Sequence, residues 1–284
     1  MVPCALHWKP GAFALVTLGV GMSCTWLVAC GDDTVTGGSG AAAQVGAGGT
    51  GTGGAMVTGA GGAAAQGGSG GTGGSGGSGA CVDTDLPEEK LGQGADPEQG
   101  TFTLDEALAG LPEGPGPLRA VITTDLGSVT CKLFPEVAPN GVANFVGLAR
   151  GRRPFKEGGE WIKGRRFYDG LKFHRVIDDF MAQGGDPLAT GLGGPGYQFA
   201  DEFGTESHTP GTLSYANSGP NSNGSQFFIV AETGATFLDG QYVIFGRCEP
   251  VDVVKAITEV PTDADDAPMT DVRMTKVEIT RCAP

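Results

Sequence analysis

Residues 173–186 read FHRVIDDFMAQGGD, and this stretch decides the fold. It starts as an apolar strand, Lys172 to Ile177, turns over Asp178 and Asp179, and resumes as a segment ending in Gly184-Gly185. Side chains alternate along a strand, so the spacing predicts Phe173, Arg175 and Ile177 on one face. An arginine between two large apolar residues is unusual, because guanidinium stays charged and is rarely buried alone. Two readings fit. The arginine serves the fold, in an ion pair or at a rim with a snorkelling stem. Or it stands on an apolar floor and is aimed at a ligand.

Working outward, residues 211–231 read GTLSYANSGPNSNGSQFFIVA, a polar Gly/Asn loop that runs into a strand, Gln226 to Val230. Two further segments flank it: GYQFADEF at 196–203 and FLDGQYVIFG at 237–246. In order and spacing, these segments together resemble the cyclophilin family, from about Ala120 to Cys282. The resemblance implies a mainly β fold, a closed eight-stranded antiparallel barrel capped by two helices. It implies the activity of a peptidyl-prolyl cis-trans isomerase, with no cofactor and no metal.

The resemblance also implies a site. Arg175 stands at the family's catalytic arginine, and Gln183 at the glutamine that orients arginine and substrate. Phe180, Met181, Phe228 and Leu238 match the proline pocket. Ala216, Asn217 and Ser218 match the stretch that holds substrate main chain, Gln226 matches a second groove glutamine, and Gly191 borders the groove. Phe237 stands where many members have a tryptophan that contacts cyclosporin, so weak inhibition by that drug is expected. Tyr242 replaces a frequent histidine and still offers a ring to the pocket wall. His174 falls on the opposite face from Arg175 and reads as structural.

That residue set suits the chemistry of an X-Pro bond. Twisting the amide breaks its resonance, at a barrier of about 18–20 kcal/mol. The twisted state has a less polar carbonyl and a free nitrogen lone pair. An apolar pocket that grips the ring, with a donor near the prolyl nitrogen, favours that state over the planar one. The competing reading is a binding module or holdase, whose groove holds a proline segment with little turnover.

The rest of the chain frames this domain. Val121–Thr124 and Ser128–Phe134 read as a hairpin around Asp125-Leu126-Gly127. Val142, Phe145, Val146 and Ala149 fall at helical spacing, in a helix from Pro139 or Asn140 to Arg150. Residues 151–165 read as a surface loop. Strands are expected near 172–177, 213–216, 226–230, 242–247 and 272–280, with a second short helix over Val251–Ile257. Gly191-Leu192-Gly193-Gly194-Pro195-Gly196 matches a dinucleotide-loop pattern, but Pro195 and Tyr197 continue a loop where that site needs a helix.

Residues 1–30 read as an export signal. Lys9 precedes an uncharged run from Gly11 to Ala29, and Leu27-Val28-Ala29-Cys30 resembles a bacterial lipoprotein signal, with Cys30 taking the lipid. An uncleaved membrane anchor is the alternative. Residues 31–80 are a Gly/Ala/Ser-rich linker, a flexible tether spanning roughly 35–40 Å. Residues 81–118 form a polar, Pro-rich pre-domain segment. Thr103 to Glu106 make a capping-box pattern there, so the segment is either a small element laid on the domain or a second linker. The domain itself spans 119–284. Cys81, Cys131, Cys248 and Cys282 could form two disulfides in an oxidising compartment, in three possible connectivities, or Cys131 and Cys248 could be buried thiols in their strands. Their spacing is not that of a zinc site.

A net charge of -14 argues against nucleic acid as a partner. The expected partners are proline-containing polypeptide clients, with membrane contact through the lipid alone. The expected state is a monomer, exported and anchored in the periplasm or at the cell surface.

Overall fold

The computed structural model describes residues 83–100 and 102–282. The signal segment with Cys30, the linker 31–80 and Cys81 lie outside the described residues. Within them the elements are β1 (Glu89–Gly92), α1 (Leu104–Leu108), β2 (Arg119–Thr124), β3 (Gly127–Leu133), α2 (Pro139–Ala149), β4 (Phe155–Glu157) and β5 (Glu160–Lys163). There follow β6 (Arg175–Ile177), β7 (Met181–Gly184), β8 (Thr212–Tyr215), β9 (Phe227–Val230), β10 (Ile244–Glu249), α3 (Val251–Thr258) and β11 (Met274–Thr280).

Alternation builds the main sheet. In β2 and β3, residues Ala120, Ile122, Val129, Cys131 and Leu133 point inward and are buried, while their neighbours face out. Eight strands join in the order β11-β2-β3-β10-β8-β9-β7-β6. Helix α2 packs on this sheet. Its Phe145 meets Tyr168, Phe227 and Phe245 at centroid distances of 4.9, 5.6 and 5.2 Å.

The sheet curls but stays open, which corrects the expected closed barrel: its edges stand 13 Å apart. The connection between α3 and β11 explains this. Its residue Asp266 lies along the free edge of β6, where the Val176 N–H donates to the Asp266 carbonyl at 2.9 Å. An edge hydrogen bond already made cannot recruit β11. The edges are tied only at one end, where Phe173 N–H donates to Val272 and Met274 N–H donates to Leu171.

That tie also changes the predicted facing of 173–177. Lys172 bridges Arg273, outside β6, and Phe173 goes into the main core with no exposure. Arg175 and Ile177 share the other face.

The stretch 151–165 holds a β4–β5 hairpin rather than a plain loop, with Trp161 and Ile162 buried. Strand β1 pairs with β5 to make a separate three-stranded sheet. The pre-domain residues are bound in further by charge. The Arg150 guanidinium donates from Nε and Nη2 to the Asp83 carboxylate at 2.9 and 2.7 Å, and both side chains are buried. Arg153 pairs with Asp96, and Arg166 with Asp85. Helix α1 carries its capping box as expected, Thr103 and Glu106 each satisfying the other's backbone N–H.

Cys131 and Cys248 face each other across β3 and β10 in a disulfide. Cys282 is disulfide-bonded as well.

Candidate functional site

Strand β9 reads FFIV and is buried along its whole length, because it separates two apolar clusters. Phe227 and Ile229 face the main core. Phe228 and Val230 face a second, smaller cluster with Met181 and Ala235, against which Ile177, Phe180, Ala216, Leu238 and Tyr242 pack. Predicted pocket residues from four separate stretches of chain thus meet in one place. Tyr242 meets Phe228 edge-on at 5.8 Å. His208 stacks behind Phe228 at 5.8 Å and 11°.

Strand register sets Arg175 against this floor. Arg175 faces Gln183 across β6 and β7, Gln183 faces Phe228 across β7 and β9, and Phe228 faces Ser214 across β8 and β9. Facing residues share a side of the sheet, so these four form one row. At a strand spacing of about 4.8 Å, Arg175 sits roughly 10 Å from Phe228 along the row. The next row is Ile177, Met181 and Val230. A cationic donor therefore borders an apolar floor.

Gln183, Gly191, Ala216, Asn217, Ser218 and Gln226 line an adjoining cavity of about 700 Å³. Gln183 Nε2 donates to Gln226 Oε1 at 2.9 Å, and Gln226 Nε2 donates to the carbonyls of Gly191 and Gly193. Gln183 thus engages Gln226, and the Arg175 guanidinium engages Asp266 instead. Asn217 donates to the Gln241 carbonyl at 3.3 Å. Phe237 stands at the rim, 68% exposed, stacked on Phe180 at 5.7 Å.

Several residues outside the expected site set support it. Asp186, 1% exposed, accepts from the N–H groups of Leu188, Thr190, Gly191 and Gly193 and so folds the cavity wall. Burial alone would raise its carboxyl; these four donors outweigh burial and hold it below the usual value. Only glycine fits at 193, since a Cβ there would sit 1.9 Å from Asp186 Oδ1. Asn144 on α2 donates to Tyr215 and Gly224 and accepts from Tyr197, joining the helix to the groove loops. Behind the pocket, His208 contacts Asp239 at 2.7 Å and Ser214 at 3.0 Å. Ser207 and the backbone and ring of His208 lower the Asp239 carboxyl to about 2. His174 is buried with neither ring nitrogen hydrogen-bonded, and burial holds its pKa below 6.5. Among the described residues no group of three His, Cys, Asp or Glu side chains is placed to hold a metal ion.

The family described as "Cyclophilin type peptidyl-prolyl cis-trans isomerase/CLD" matches residues 119–279. Peptidyl-prolyl cis-trans isomerase A of Mycobacterium tuberculosis is 45% identical over 167 residues, covering 56% of this chain and 91% of that protein. Peptidyl-prolyl cis-trans isomerase B of Streptomyces anulatus is 43% identical over 175 residues, covering 57% and 96%. Among solved structures, a cyclophilin type isomerase of Cryptosporidium parvum matches with a TM-score of 0.50 and 31% identity, covering 57% of this chain and 96% of that one.

Proposed function

The chain belongs to the cyclophilin-type peptidyl-prolyl cis-trans isomerase family, and from that premise we propose how it turns an X-Pro bond and where it works. It is a peptidyl-prolyl cis-trans isomerase. The observation that carries the site assignment is the row of facing residues Arg175, Gln183 and Phe228, which puts Arg175 on the same side of the sheet as Phe228 and the cluster of Met181 and Val230. The proline ring enters that cluster, between Phe228, Leu238 and Tyr242. Substrate main chain lies along Ala216, Asn217 and Ser218, and Gln183, Gln226 and Gly191 bound the residues before proline.

No bond is made or broken by the protein. Rotation about the C–N bond needs the lone pair to leave conjugation, and two features favour that moment. The apolar floor favours the less polar twisted amide, and the Arg175 guanidinium donates to the nitrogen lone pair only after twisting. Interactions stronger in the twisted state than in the planar state lower the barrier.

The location follows from the N-terminal sequence. The run Gly11–Ala29 ending at Cys30 supports export and lipid attachment at Cys30, and the Gly-rich linker supports a tethered domain that reaches clients beyond the membrane surface. The clients are exported, unfolded or partly folded chains containing proline, and the enzyme acts as a monomer.

Two experiments test these readings. Exchange spectroscopy on an Ala-Pro peptide should show cis-trans interconversion accelerated by the protein at catalytic ratios. Binding without acceleration would make the groove a recognition site. Radiolabelled palmitate fed to expressing bacteria should label the full chain and not a Cys30→Ala variant. Equal labelling of both would end the lipoprotein reading.

A further inference from the structure

The family resemblance implies that Gln183 orients Arg175, yet the charged end of Arg175 meets a carboxylate from far along the chain. Arg175 Nε donates to Asp266 Oδ2 at 3.3 Å, and Nη2 lies 3.2 Å from the same oxygen. The same residue fixes the strand on which the arginine stands, through the Val176 N–H to Asp266 carbonyl bond. One residue thus holds both the backbone next to Arg175 and its guanidinium. It does so at the open edge of the sheet, where no neighbouring strand could.

The loop that delivers Asp266 is shaped independently of its carboxylate. Asp263 Oδ1 accepts from the N–H groups of Asp265 and Ala267 at 2.9 and 3.0 Å, and Asp263 N–H donates to Ala267. Thr262 bridges Pro268. Asp266 itself has φ +62°, a left-handed conformation that Asn and Asp tolerate better than other non-glycine residues. Its carboxylate is therefore presented, not left to search.

We propose that Asp266 is the positioning residue for Arg175: it engages the Nε and Nη2 edge of the guanidinium, so that the remaining Nη1 donors face the prolyl nitrogen. Guanidinium is planar with five donors in a fixed fork, so engaging one edge sets the direction of the rest. This rests on the assignment of Arg175 as the donor.

The pair is 44% and 41% exposed, and ion pairs this exposed add little to stability. Asp266→Asn keeps the side-chain shape and suits the left-handed backbone, so it should fold with an unchanged melting temperature. The test is a double-mutant cycle in the full-length protein: wild type, Asp266→Asn, Arg175→Ala and the double variant, assayed on an X-Pro peptide. The expected result is a drop of about tenfold in kcat/KM for Asp266→Asn, carried by kcat with KM little changed, as misplacing a reacting group costs rate. In the Arg175→Ala background the second substitution should change nothing. Three outcomes overturn the proposal: equal losses in both backgrounds, no loss in the wild-type background, or a faster Asp266→Asn enzyme whose carboxylate had competed with substrate. If Arg175→Ala alone retains the wild-type rate, the assignment of Arg175 falls, and the role of Asp266 with it.

Discussion

Asp186 shapes the groove with a single side chain. Its four backbone donors turn residues 187–193 into a fixed wall, and its burial makes those donors necessary. Because the folded carboxyl lies below the ordinary value of 3.8, its contribution to stability is complete above that value and fades as pH falls through the lower folded one. Protection factors at the amides of Leu188, Gly191 and Gly193 should therefore fall as pH drops below 3.8, while protection in β2 and β3 persists. Asp186→Ala should release the same amides at neutral pH, at a cost of roughly 1–3 kcal/mol for donors left unpaired. Residues such as Arg175, Phe228 and Met181 were legible in the sequence because they fall inside contiguous motifs. Asp266 was not, since a carboxylate 91 residues from its partner leaves no local pattern. His208 carries no local signal either, because only tertiary packing stacks it on Phe228.

At the scale of elements, the segment before the domain divides into parts that matter to different degrees. Asp83 and Arg150 are 4% and 1% exposed, whereas Asp85, paired with Arg166, is 82% exposed. Breaking a buried pair leaves a charge without a partner, so Asp83→Ala should destabilise by about 3–5 kcal/mol. Asp85→Ala should stay within about 1 kcal/mol. Chemical denaturation of the two variants, side by side, checks the contrast. The helices α2 and α3 were readable from apolar spacing, and the β2–β3 hairpin from alternation and its Asp-Leu-Gly turn. The β4–β5 hairpin carries little sequence signal because its strands are three and four residues long and largely charged. Only Phe155, Trp161 and Ile162, around Gly158-Gly159, hinted at it. Strand β1 has no inward apolar face at all, so pairing with β5 rather than pattern makes it a strand.

For the whole molecule, the Cys131–Cys248 bond joins residues 117 apart and staples β3 to β10, next to each other near the middle of the eight-stranded sheet. Loop-closure entropy alone assigns such a bridge about 4–5 kcal/mol. A Cys131→Ala/Cys248→Ala double variant should lose stability on that scale while keeping the fold, as the β3–β10 hydrogen bonds remain. Equal denaturation midpoints for the variant and wild type would show that the strands hold without the staple. The eight strands of the main sheet were implied by the resemblance, but neither their order nor the open edge could be read from the sequence. Closure depends on whether the connection before β11 leaves β6 free, and Asp266 occupies that edge. The open edge thereby places a carboxylate beside Arg175.

We propose that Arg175, on the same side of the sheet as an apolar proline pocket, lowers the barrier to X-Pro rotation. The most direct test is the cis-to-trans rate of a short Ala-Pro peptide in the cold, with wild type and with an Arg175→Ala variant shown to be folded by near-ultraviolet circular dichroism. Wild type should accelerate the reaction strongly, and the variant should lose roughly 10²–10³-fold in kcat/KM. A folded Arg175→Ala protein working at the wild-type rate would contradict the proposal.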